Sequence, residues 1–283
     1  MGQSGSGTTG GDGRPAAGSH ISSADVRIAL IDSGIGLLST AAALREARPD
    51  ADLVLSMDPD HMPWGPRTAE EIIARALAGA RAALADRPDA VVVACNTASV
   101  HALEALRAEL EPETPVVGTV PAVKPAADRG EPFAIWATPA TSGSPYQRDL
   151  IRRFANGVPV TPVPCDGLAD AVDAADGAAI DEAVARAAAR TPAEVRAVVL
   201  GCTHYDLVGD RISAALGHRP ALFTAAGAVA AQTLRRLGTT ARPEAARTGT
   251  LRVLASGRPG GLPPAALRYP AGALLAAAPA PTG

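Results

Sequence analysis

Aromatic residues are scarce in this chain. Phenylalanine, tryptophan and tyrosine make up 3% of its 283 residues, so alanine, valine, leucine and isoleucine must fill any core. An excess of one charge is missing as well: 26 basic residues face 29 acidic ones, for a net charge of -3. That balance gives no electrostatic case for nucleic acid or an anionic membrane surface. Three cysteines are too few for a disulfide framework. Cys95 and Cys202 stand beside Asn, Thr and His instead of at C-x-x-C spacing, which argues against a metal site and for the reducing cytoplasm. No apolar run reaches the roughly 18 residues that span a bilayer. Residues 1–24, rich in Gly, Ser and Thr, lack the charged start and apolar stretch of a signal peptide. Met1-Gly2-Gln3-Ser4-Gly5-Ser6 fits a myristoylation pattern in form, but no polybasic segment supports it and it reads as chance.

What is present is an alternation. Short apolar runs predict strands over Val26–Ile31, Asp52–Met57, Ala90–Ala94, Pro115–Val120, Phe133–Ala137, Pro159–Val163, Val195–Leu200 and near Leu251–Leu254. Amphipathic stretches between them predict helices over Leu37–Arg48, Ala69–Leu84, Val100–Glu109, Pro145–Phe154, Ile180–Arg190, Leu207–Leu216 and Ala225–Leu237. This order predicts an α/β fold of two pseudo-symmetric, doubly wound parallel-sheet domains with the site in the cleft between them. The expected division is a disordered tail over 1–24, a first domain from 25–121 plus 226–256, a second over 122–225, and a largely disordered Pro/Ala/Gly-rich tail over 257–283.

Ligands in such folds bind beyond the carboxyl ends of the strands, and the polar motifs fall there. Two of them match. Val92-Val93-Ala94-Cys95-Asn96-Thr97 and Val199-Leu200-Gly201-Cys202-Thr203-His204 each carry a cysteine at the end of an apolar run, 107 positions apart. Two thiols in equivalent settings suit chemistry that removes a proton from one face of a carbon and returns it to the other. A lone cysteine is most often an inert core residue, and it is the pairing that favours function. Cys95 stands at a helix start, where Thr97 or Ser99 can cap and the amides are expected to lower the thiol pKa. Asn96 and Thr97 offer groups for a substrate carboxylate or ammonium, and His204 can exchange protons with Cys202. Asp32-Ser33-Gly34-Ile35-Gly36 is no dinucleotide-binding loop. Asp32 suits an ammonium or the orientation of a base, and equally an Asx turn. Asp58, Asp60 and His61, on the loop closed by Pro63-Trp64-Gly65-Pro66, read as solvated charge and not as a metal cluster. Cys165, without a matching partner, reads as structural.

Asp32-Ser33-Gly34-Ile35-Gly36, Pro63-Trp64-Gly65, Ala94-Cys95-Asn96-Thr97-Ala98-Ser99 and Gly201-Cys202-Thr203-His204-Tyr205, in that order, resemble the glutamate racemases of the aspartate/glutamate racemase superfamily over roughly Arg27 to Leu237. The resemblance implies interconversion of L- and D-glutamate with no cofactor, neither pyridoxal phosphate nor metal. It makes Cys95 and Cys202 the acid/base thiols, with Asp32 and His204 assisting. It gives Ser33, Trp64, Gly65, Asn96, Thr97, Thr141 and Thr203 the task of holding a small-molecule amino acid. It further implies a cytoplasmic, frequently dimeric enzyme whose D-glutamate feeds peptidoglycan synthesis.

The chain departs from that family at three positions: Leu37 replaces a second glycine, Trp64 a tyrosine, and Asp206 the proline after Cys-Thr-His-Tyr. Trp64 removes a phenolic hydroxyl and adds bulk, while Asp206 adds charge near the second thiol. These changes define the alternative of a racemase for another amino acid or carboxylic acid in specialised metabolism. An arylmalonate-type decarboxylase needs one thiol, not two. A hydrolase built on Cys202 and His204 leaves the first cysteine motif unexplained. A non-catalytic binding protein on this scaffold has no need of Cys95, Thr97, Cys202 and His204 together.

Overall fold

The computed structural model describes residues 26–277. The expected tail over 1–24, its Met1–Ser6 pattern and the last residues, 278–283, lie outside the described residues. Strands β1 (Arg27–Asp32), β2 (Asp52–Met57), β3 (Ala90–Val93) and β4 (Val116–Gly118) are parallel and ordered β2-β1-β3-β4. Strands β5 (Phe133–Ala137), β6 (Val160–Pro164), β7 (Ala197–Leu200) and β8 (Ala221–Phe223) repeat that order as β6-β5-β7-β8. The first sheet is then extended by β9 (Leu251–Ala255), parallel to β2, and by β10 (Arg258–Gly260), which runs antiparallel at the edge. That last strand departs from the all-parallel expectation. It is three exposed residues with Pro259 in the middle, a composition tolerated only where one side of the strand goes unpaired.

β3 and β7 are wholly buried, as expected of parallel strands covered on both faces. Along β1 the faces alternate. Ile28 and Leu30 join one apolar cluster, and Ala29 and Ile31 join another. The first cluster also takes Ala134, Trp136, Val198 and Leu200 from the second sheet, so the two sheets turn their inner faces onto one continuous core. Phe133, Ile135, Ala197 and Val199 face the other way into a smaller core.

Helix starts follow local chemistry. Helix α2 (Ala69–Leu84) opens on a capping box between Thr68 and Glu71. α6 (Pro145–Phe154) opens on Ser144 with proline in its first turn, and α8 (Gly177–Ala189) on Asp176. The predicted helix over Val100–Glu109 is instead two, α3 (Asn96–His101) and α4 (Leu103–Leu110), and the first begins directly after Cys95. Neither Thr97 nor Ser99 caps it. The extended Cys95 holds the cap position without a side-chain bond, and Ser99 Oγ donates to Val93 O while accepting from Thr119 N. Short β8, α5 (Val123–Ala127) and α7 (Leu168–Asp173) carry too few residues to show a period, and composition gave no sign of them. The remaining helices are α1 (Leu38–Ala47), α9 (Gly209–Ala215), α10 (Ala226–Arg236) and α11 (Pro270–Ala276).

The segment from Gly257 corrects the expectation of a disordered tail. After β10 it forms a 3-10 turn at Ala266–Arg268 and then α11, which packs on α1. Ala266, Tyr269 and Leu275 are buried, and Tyr269 Oη donates to Val172 O at 2.6 Å. Small residues permit this packing: a Cβ on Gly272 would fall 2.0 Å from Ala266 O.

A buried cation ties the end of α1 to the segments that lead into β2 and β9. The Arg45 guanidinium, at the end of α1, donates to the carbonyls of Pro49, Ala51 and Thr250. Arg45→Met would strand those carbonyls, and it is expected to lower unfolding free energy by about 2–4 kcal/mol. The check is a lower urea midpoint with an unchanged slope.

Candidate active site

The repeated strand order puts equivalent positions opposite one another. Cys95 lies two residues past β3 and Cys202 two residues past β7, and both have extended backbone at the start of a helical turn. In each sheet that is the switch point, where neighbouring strands send their chains to opposite faces and leave a crevice. Asp32 ends β1 beside Cys95, and Thr138 follows β5 beside Cys202. The two crevices merge into one cavity of about 300 Å³. All eleven residues singled out from sequence line it: Asp32, Ser33, Trp64, Gly65, Asn96 and Thr97 with Cys95, and Thr141, Thr203 and His204 with Cys202.

The two halves are cross-linked at this point. Asn96 Nδ2 donates to Gly201 O at 2.5 Å, and Thr203 Oγ1 donates to Asp32 Oδ2 at 3.4 Å. Asn96 Oδ1 is buried with no hydrogen-bond partner among the described residues. Gly36 allows the close approach: a Cβ there would fall 2.5 Å from Thr203 Oγ1, 2.6 Å from His204 Nδ1 and 2.7 Å from Asp32 Oδ2. The glycines of this turn therefore serve side chains from both units as well as the turn itself.

Electrostatics differ on the two sides. Burial and then the neighbouring Asp32 carboxylate push the Cys95 thiol well above its ordinary pKa. The helix N-terminus does act in the expected direction, through the Ala98 N–H, but it is outweighed. Burial also raises Asp32 to about 6, against the opposing pull of His204, the Cys95 hydrogen bond and the Ser33 N–H at 2.6 Å. His204 resists burial, which disfavours its charge. Hydrogen bonds to Asp173 and Cys202 hold its pKa well above the usual value. Its Nε2 lies 3.1 Å from Asp173 Oδ1, and its Nδ1 lies 3.9 Å from Cys202 Sγ. Asp173 Oδ1 also accepts from Ile35 N at 2.9 Å.

Asp173 was missed in the sequence. It sits 31 positions before His204 on α7, and no spacing rule connects them. Thr138, Asp170 and Cys165 also line the cavity. Cys165, read as structural, forms part of the wall while donating to Val163 O at 3.5 Å, and burial raises its thiol to about 12. Asp58 corrects the reading of solvated loop charge. It is buried, and it accepts from His61 Nδ1, Trp64 Nε1 and Ser256 Oγ. Of the three departures, Leu37 is buried in the shared core, Trp64 walls the cavity, and Asp206 lies outside the cavity lining, half-buried with its carboxyl pushed up to about 8. Among the described residues no His/Cys/Asp/Glu cluster could hold a metal ion, and no helix is long and apolar enough to cross a membrane.

The Asp32 shift has a stability signature. Between about pH 4 and 6 the native state holds a proton that the unfolded chain has released, so raising the pH through that window lowers stability. Two units correspond to about 3 kcal/mol. Relative to the native protein, Asp32→Asn is therefore expected to gain about that much between pH 4 and pH 7. Urea titrations at both pH values measure it, and a constant difference between the two proteins would refute it.

Paired α/β units that each bring a thiol from an equivalent strand end to a shared cavity define a racemase-type isomerase. The chain belongs to the Asp/Glu/Hydantoin racemase family, whose model matches residues 37–233. It is 38% identical over 222 residues to a glutamate racemase of Sphingopyxis alaskensis, covering 75% of this chain and 82% of that one. A glutamate racemase of Herpetosiphon aurantiacus is 36% identical over 243 residues, covering 83% and 94%. Among solved structures, Escherichia coli glutamate racemase in complex with L-glutamate and the activator UDP-MurNAc-ala superposes with a TM-score of 0.73 at 28% identity, over 89% of this chain and 92% of that one.

Proposed function

We propose that this chain interconverts L- and D-glutamate by passing a proton between Cys95, Cys202 and the substrate α-carbon. The observation that carries the reading is that both thiols line one cavity from equivalent strand ends. The three relatives named above are glutamate racemases, which supports the substrate. The substrate carboxylate accepts from the amides and hydroxyls at Asn96, Thr97 and Thr203, and its ammonium donates to the unpartnered Asn96 Oδ1. One cysteine, as thiolate, takes the α-proton while the other, as thiol, delivers a proton to the opposite face. Asp32, with a pKa near 6, is ionised at neutral pH and receives the Cys95 proton when that side acts as base, a transfer that runs uphill because the Cys95 thiol is held well above its ordinary pKa. On the other side, His204, its ring oriented by Asp173 at Nε2, turns Nδ1 toward Cys202 Sγ and is the group placed to exchange a proton with it. The D-glutamate formed supplies peptidoglycan synthesis in the cytoplasm.

The test is incubation with separate L- and D-amino acids in heavy water, followed by mass spectrometry and chiral separation. Both glutamate enantiomers are expected to gain α-deuterium and converge on an equal mixture. Convergence of a different amino acid would transfer the mechanism to that substrate. No exchange with any amino acid would overturn it.

A further inference from the structure

The wall of the cavity formed by Trp64 is held from the far end of the chain. β9 and β10 are joined by the two-residue turn Ser256-Gly257, in which both residues have left-handed φ, 47° and 78°. Such turns match the twist of the flanking strands and favour Asn-Gly or Asp-Gly, because serine pays a steric cost at positive φ that glycine does not. Serine is thus a poor choice for the turn taken alone.

Its hydroxyl accounts for it. Ser256 Oγ donates to Asp58 Oδ1 at 2.7 Å and accepts from Asp60 N at 3.2 Å. The other oxygen of Asp58 accepts from the Trp64 indole N–H at 3.1 Å, and His61 Nδ1 lies 2.9 Å from Oδ1. Arg258, just past the turn, pairs with Asp60 at 2.7 Å. The Asp58 carboxylate is held below its ordinary pKa. Burial opposes this, and the bonds from His61, Ser256 and Trp64 overcome it. The hub is therefore ionised at neutral pH, with each bond charge-assisted. Trp64 is 2% exposed and shared between the large cavity and a small one of about 90 Å³ lined by Asp58, His61 and Ser256. The indole belongs to an apolar core cluster and also borders that hollow, so the bond to Asp58 adds direction to its packing.

We infer that Ser256 is a positioning residue for the reaction: acting through Asp58, it seats the Trp64 indole against the substrate and so sets the dimensions of the pocket. The hydrogen-bonded clasp spans 192 positions of sequence, from Trp64 through Asp58 to Ser256. The inference rests on the racemase reading of the site, and part of its test is independent of activity.

Ser256→Gly separates the two roles of this residue, because it relieves the backbone while removing the hydroxyl. Its melting temperature is expected to equal or exceed that of the native protein, with KM raised about tenfold and kcat within about twofold, as misplacement of a binding wall requires. Amide hydrogen exchange over residues 58–66 is expected to speed up in the same variant, measured without substrate. Ser256→Asn, which tolerates positive φ and keeps a donor, is expected to restore KM and exchange protection. An unchanged KM and unchanged exchange in Ser256→Gly would overturn the inference. So would a lowered melting temperature with kcat reduced and KM unchanged, which is a structural defect. A native protein inactive on every amino acid would defeat the racemase reading alone, and the exchange result would still decide the clasp.

Discussion

Cys95→Ser and Cys202→Ser are each expected to lower the racemisation rate by at least about 10³-fold while leaving the circular dichroism spectrum unchanged. A serine hydroxyl fits the same space but is a far weaker base near neutrality, and each direction of reaction needs one group to accept and the other to donate. The two losses should differ in kind. With Cys202 intact and Cys95 replaced, only the enantiomer whose α-proton faces Cys202 can exchange in heavy water, and its proton returns to the same face. The reciprocal variant should exchange the other enantiomer. Slow deuterium uptake by opposite enantiomers in the two variants, without inversion, is the signature of thiols on two faces. A variant that keeps racemisation within about tenfold of the native protein would refute a two-base mechanism.

Gly36→Ala is expected to cost about 10²-fold in kcat/KM, although residue 36 carries no reactive group. A methyl at that position would lie under 3.0 Å from Thr203 Oγ1, His204 Nδ1 and Asp32 Oδ2 at once. Side chains from both units must then give way, and with them the hydrogen bond from Thr203 to Asp32 and the alignment of His204 with Cys202. Overpacking of this kind also costs about 1–3 kcal/mol of stability. Gly227→Ala, on α10 with nothing within 4 Å of the new methyl, is the control. It should keep full activity and gain up to about 1 kcal/mol from helix propensity. Equal activities for the two variants would show that the close approach at Gly36 does not matter.

Much of the fold was legible because its elements advertise themselves locally. Helices α2 and α6 run over the predicted Ala69–Leu84 and Pro145–Phe154, each announced by a cap and an apolar period. β2 and β5 run over the predicted Asp52–Met57 and Phe133–Ala137. Strands of three residues such as β8 and β10, and a helix of six such as α7, are too short to show a period. The C-terminal segment misled for a different reason. Its Pro, Gly and Ala content resembles that of an unfolded tail, yet those small residues let α11 settle against the 3-10 turn before it and against α1.

The direction of the Cys95 shift was read wrongly from sequence, because a helix N-terminus is visible there and burial beside Asp32 is not. Asp173 and Ser256 escaped notice because their partners, His204 and Asp58, lie 31 and 198 positions away. By itself the sequence determined the order of strands and helices and the placing of a thiol at the end of two equivalent strands, since period and side-chain chemistry are written within a few neighbouring residues. Only the tertiary structure decided which carboxylate orients His204, how far burial shifts Asp32 and Cys95, and what holds Trp64 in the cavity wall. Those depend on contacts between distant segments and on the loss of water around them, and neither leaves a local mark in the chain.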